Sequence, residues 1–104
     1  MSDIKKYINE NMYGFLENNF FREICDEVTF GKVRRMTKDL IECYIKMNEI
    51  DIKNVEVICD YDNNISETVD KNELHLEIKI DNFNAYIVYK FQNTIITWSD
   101  NEKY

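Results

Sequence analysis

The side chains of this 104-residue chain that are able to do chemistry are few, and each has a plainer role available. Asp60, Tyr61, Asp62, Asn63 and Asn64 open like a calcium-binding loop, in which alternate oxygen-bearing side chains wrap the ion. The likeness stops where that chemistry is most demanding. Ile65 stands where the sharp bend needs glycine, and Lys71 where a bidentate glutamate would close the shell. The string therefore reads as a polar turn that satisfies its own backbone, and no metal is expected. His75 is the sole histidine and alternates with leucines on the wet side of a strand, so it is expected to be simply exposed. Cys25, Cys43 and Cys59 are odd in number and lack CxxC spacing, which is neither a disulfide framework nor a zinc signature. Buried free thiols in a reducing compartment are the expectation. Ser66 and Ser99 have no nucleophile elbow around them, no phosphate loop or HExxH occurs, and no carboxylates are spaced as an acid–base couple. No enzymatic activity and no cofactor are expected.

Two groups of residues carry an interaction reading instead. Lys32, Arg34, Arg35 and Lys38 form the one basic cluster of a chain whose formal charge is −7. Such a patch can set the register between subunits, or it can be a solvated helix face with local ion pairs. The run Thr94, Ile95, Ile96, Thr97 and Trp98 is β-prone and comes after a turn at Gln92 and Asn93. It can close its own sheet or add to the open edge of a neighbour's, with residues 94–104 serving as donated strand and polar tail; residue types alone leave both open.

These candidates need elements to position them. Ile4, Tyr7, Ile8, Met12 and Phe15 or Leu16 recur at three- and four-residue steps, which predicts a helix from Asp3 to about Leu16, ended by Asn18 and Asn19. Phe20 and Phe21 then add an edge strand or pack under the next helix. Asp26 or Thr29 can cap that second helix. Its stripe is Phe30, Val33, Thr37, Leu40, Tyr44 and Met47, and it ends near Asn48. Strands are predicted over residues 55–59, 74–80, 86–91 and 94–98, with a polar connection over 60–71 and a hairpin turn over 81–84. Along the second of them Leu74, Leu76, Ile78 and Ile80 alternate with His75, Glu77 and Lys79, so one face is apolar and needs a cover. The expected fold is α+β: two main helices packed on one face of a small three- to four-stranded mixed sheet, in a single domain over residues 1–104.

Composition bounds the partners. Apolar residues make up 44% of the chain and aromatics 13%, as in a folded globule. The acidic balance argues against direct nucleic-acid binding, which draws its affinity from Lys and Arg, and against anionic membranes. Residues 1–10 lack the apolar core of a signal peptide and no run approaches spanning length, so the protein is expected in cytoplasm, bacterial or host.

Four strings in series resemble the C-terminal domain of contractile-tail sheath proteins, found in contractile phages and related injection machines. Residues 59–64, Cys-Asp-Tyr-Asp-Asn-Asn, are similar to that family's Cys-Asp-x-x-Asn-Asn. Thr-Val-Asp at 68–70 with Asn-Glu-Leu at 72–74 is similar to its Ile-Asp-x-x-x-Leu, and Ala-Tyr-Ile-Val-Tyr-Lys-Phe at 85–91 to its Glu-Phe-Ile-x-Leu-x-Phe. Residues 23–35 resemble Glu-Pro-Asn-Asp-Glu-x-Thr-Trp-x-x-Val-Arg-Arg, and residues 4–13 the helix that opens the domain. The chain departs from the family in lacking its prolines, with Ile24 and Val28 near the helix start, and in a shorter turn at 81–84. Little chain precedes the first helix to supply the family's N-terminal arm.

The resemblance implies a structural assembly protein of a contractile tail, a sheath-like module or a sheath initiator or terminator. It would act by strand exchange with tail sheath, tube or baseplate subunits or with itself, in the virion tail after assembly in host cytoplasm. The rival expectation, drawn from charge alone, is a small acidic mobile-element inhibitor that binds a host nucleic-acid-processing protein.

Overall fold

The computed structural model describes residues 2–20, 27–63, 72–81, 83–90 and 93–100. The order is α1 (Ser2–Phe20), α2 (Glu27–Met47), β1 (Val55–Asn63), β2 (Asn72–Ile80), β3 (Phe83–Lys90) and β4 (Asn93–Asp100). The strands form one sheet in the order β1-β2-β3-β4, every neighbour antiparallel. The α+β expectation stands, with four strands; the sheet is antiparallel throughout rather than mixed, because strands consecutive in sequence are neighbours in the sheet and no crossover is needed to return the chain.

Both helices cover the same face of the sheet. From α1, Ile4, Ile8, Met12, Leu16 and Phe20 are buried, four residues apart, and from α2, Val33, Ile41 and Ile45. Beneath them lie Val57 of β1, Leu74, Leu76, Ile78 and Ile80 of β2, and Phe83, Ala85, Ile87 and Tyr89 of β3. Each large aliphatic side chain fully buried here contributes about 1.5–3 kcal/mol before ordering costs, so the core, and not helix propensity, holds the helices down. Tyr7 of α1 stacks on Tyr44 of α2 with centroids 3.9 Å apart.

Several local expectations are corrected. Asn18 and Asn19 do not end α1; Asn19 Nδ2 donates back to the Phe15 carbonyl, and the helix continues to a buried Phe20. Phe20 is thus helical and not part of an edge strand, while Phe21 and Asp26 lie outside the described residues. Thr29 sits inside α2 and is buried there, so it is not the cap. The buried stripe of α2 rotates from Val33 and Thr37 onto Ile41 and Ile45, leaving Met47 75% exposed. A run with apolar residues on both sides of the stripe is ambiguous until the sheet chooses between them. Residues 60–63 belong to β1 and not to the polar connection, because β2 begins early enough, at Asn72, to pair with them.

Two left-handed residues end elements. Glu49, at φ 52°, stops α2: its N–H donates to the Lys46 carbonyl and that of Ile50 to the Ile45 carbonyl, the paired bonds of a Schellman end. Asp81, at φ 34°, turns β2 into β3, and its carboxylate accepts from the N–H groups of Lys53 and Asn54 at 3.1 and 2.9 Å.

Candidate functional site

The interaction residues singled out in the sequence fall on opposite margins of the sheet. Order β1-β2-β3-β4 leaves an outer edge on β1 and another on β4. The basic cluster lies along the first and the β-prone run along the second.

On the β1 side, Arg34, Arg35 and Lys38 of α2 line a groove of about 280 Å³ together with Gly31, Glu56 and Val57. The three recur at i and i+4 or i+3 on one helical face, which is why they converge there. All three are exposed, and none makes an ion pair with a described residue. Lys32 is also exposed but takes no part in lining the groove. Farther along the margin a wider groove of about 680 Å³ is lined by the apolar Ile45, Ile50, Ile52 and Val55 and by charges of both signs, Asp39, Glu42 and Glu49 with Lys46 and Lys53. The basic residues of this margin therefore sit beside Glu56 and Val57, and a groove of mixed charge beside the approach to β1.

On the β4 side, of the two alternatives that residue types left open, the strand takes the first and closes its own sheet. Residues 94–98 pair with β3 of their own chain, Ile96 opposite Ile87 and Trp98 opposite Ala85. A two-residue connection makes this pairing local, so the strand reaches its own sheet before any neighbour. Ile96 and Trp98 pack against the core, and Trp98 Nε1 donates to Asn9 Oδ1 of α1 at 3.0 Å. The Lys5 ammonium lies 5.1 Å from the Phe83 ring centre and 5.4 Å from that of Trp98. Ile95, on the opposite face, is 54% exposed.

The face turned away from the helices holds the polar side chains that single-residue reasoning passed over. His75 is not simply exposed: Nε2 lies 3.1 Å from Glu73 Oε1, Nδ1 is hydrogen-bonded to Tyr86 Oη, and its side chain is only 22% exposed. Asn84 Nδ2 donates to Glu77 Oε2. The signal was the strand alternation itself, which puts Glu73, His75 and Glu77 on one side, with Tyr86 directly opposite Glu77 on β3. Ile58, Tyr86 and Ile95 make this face partly apolar. Among the described residues no cluster of three metal-ligating side chains occurs, and the side chains of the calcium-like string lie outside them. Of the cysteines, Cys43 is exposed and Cys59 half-buried, against the expectation of buried thiols; Cys25 lies outside the described residues. No described helix is long and apolar enough to cross a membrane.

Comparison with protein-family models, with curated proteins and with solved structures found no match.

Proposed function

We propose that the chain is a structural assembly module that does no chemistry and joins repeating subunits through the margins of its sheet. The observation that carries this is the placement of two independent sets of residues, the cations Arg34, Arg35 and Lys38, which make no ion pair among the described residues, and the strand 93–100, on opposite edges of one four-stranded sheet. Edge strands offer unpaired backbone groups to another chain, and soluble proteins commonly guard them with Pro, Lys or inward charges. β4 has none of these: Asn93–Asp100 contains no Lys, Arg or Pro. The resemblance of residues 4–13, 23–35, 59–64 and 85–91 to sheath C-terminal domains supports placing the module in a contractile tail or related injection particle, as a sheath-like layer or an initiator or terminator of the sheath.

The mode of joining differs from strand donation. β4 is engaged on one side by β3, so neighbours meet its other side. The partners on this reading are tail sheath, tube or baseplate subunits, and the location is the virion tail. Mass spectrometry of purified particles tests it: stoichiometric recovery of the chain with sheath and tube supports the reading, and its absence from intact particles overturns it.

A further inference from the structure

The two outer edges that the described strands leave are complementary to each other, and we infer that a second copy of this chain docks its β1 edge onto β4 of the first, head to tail, extending one antiparallel sheet through successive subunits. The inference deepens the assembly reading, on which it rests, by naming the partner of both edges.

Three features of the sheet must agree for such a junction, and all three do. The first is direction. An antiparallel meander with an even number of strands leaves β1 and β4 running oppositely, so β1 of the next copy is antiparallel to β4 when that copy keeps the same orientation, with its helices on the same face.

The second is hydrogen-bond parity. Asp81 N–H donates to the Asn54 carbonyl at 3.2 Å, which fixes the even residues of β1 as those that face β2. Uninterrupted registers carry the alternation across the sheet, so that Val55, Val57 and Cys59 turn their N–H and C=O groups out from β1, and Thr94, Ile96 and Trp98 turn theirs out from β4. The same residues carry their side chains on the helix-covered face. Joining outward groups to outward groups therefore also joins buried face to buried face, and a one-residue slip would fail both tests.

The third is side-chain match. Setting Ile96 opposite Val57 of the next copy places Trp98 opposite Val55 and Thr94 opposite Cys59. On the other face it places Ile95 opposite Ile58, the two edge aliphatics left 54% and 38% exposed. β4 contains no Lys or Arg, so the strand itself brings no cation to the margin that Arg34, Arg35 and Lys38 line. The whole-chain charge of −7 opposes association at long range. At physiological ionic strength the screening length is about 8 Å, which leaves the local contacts of the junction to decide. A contact of this kind is heterologous: repeated, it gives a ring where the rotation between copies closes and an open helical filament where it does not.

The test uses native Cys59. Residues directly opposite in a hydrogen-bonded antiparallel pair lie about 5.5 Å apart at Cα, within disulfide range. Under mild oxidation the full-length Thr94→Cys variant should give a ladder of covalent multiples on a non-reducing gel, and Thr94→Cys combined with Cys59→Ser should lose it. Ile95→Lys on the unlinked chain, at an exposed position that leaves the monomer folded by circular dichroism, should cut concentration-dependent sedimentation at least tenfold. A chain that stays monomeric at every concentration and yields no ladder overturns the inference, as does a ladder that survives Cys59→Ser. Particles that contain the chain while the purified chain never self-links would leave the assembly role standing and remove only the self-partner.

Discussion

Tyr89 Oη donates a 2.7 Å hydrogen bond to Glu17 Oε2, fastening the third strand to the first helix across 72 residues of sequence. Tyr89 is 1% exposed, so its hydroxyl has no alternative partner in water, and the bond fixes how the helix lies over β3. Burial, and then the Glu17 carboxylate, push the phenol above its ordinary value of 10.0. Because the folded state holds the proton more tightly than the unfolded chain, this contribution is fully present below pH 10 and is lost as pH rises beyond it. Tyr89→Phe should cost about 1–2 kcal/mol near neutrality and flatten the alkaline fall in stability. Urea midpoints at about pH 8 and about pH 11 check both; an unchanged alkaline slope in the variant contradicts the assignment.

Thr37 lies wholly buried in α2, and its Oγ1 has no hydrogen-bond partner among the described residues. Replacing an unsatisfied buried hydroxyl with a methyl of the same shape removes a desolvation cost without opening a cavity. Thr37→Val should therefore raise stability by about 1 kcal/mol, read as a higher denaturation midpoint at an unchanged denaturant slope. A lower midpoint would mean that the hydroxyl is engaged.

Glu49 ends α2 in the left-handed region that glycine occupies without steric cost. Its side chain is exposed. Glu49→Gly should stabilise the chain by about 0.5–1 kcal/mol, whereas Glu49→Val, branched at Cβ, should destabilise it by more than that. Thermal melts of the two variants beside the parent order the three; equal melting temperatures would contradict the Schellman end.

Much of the architecture was legible because alternation is unambiguous where a strand has one dry face. Leu74, Leu76, Ile78 and Ile80 gave the side of β2 that is buried, and all four are fully enclosed. The helices were legible in existence and less so in phase. Leu40, Ile41, Tyr44 and Ile45 offer two adjacent stripes, and only the position of β1 selects Ile41 and Ile45. Strand ends were missed at residues 60–63 because Asp and Asn are poor strand formers, and pairing with β2 overrides that local preference. The basic residues and the β-prone run were picked out by type, yet their separation onto opposite edges depends on strand order, which no single segment encodes. The link between His75 and Tyr86 was hidden for the same reason: it is a diagonal contact between two strands.

The central claim is that the outer margins of this sheet take up a neighbouring strand, and backbone amide exchange reads it directly. From dilute to concentrated chain, the amides of Val55, Val57, Cys59, Thr94, Ile96 and Trp98 should slow together, while those of Ile95 and Thr97, already turned toward β3, should hold their rates. Identical exchange at every concentration for the outward amides would contradict the account.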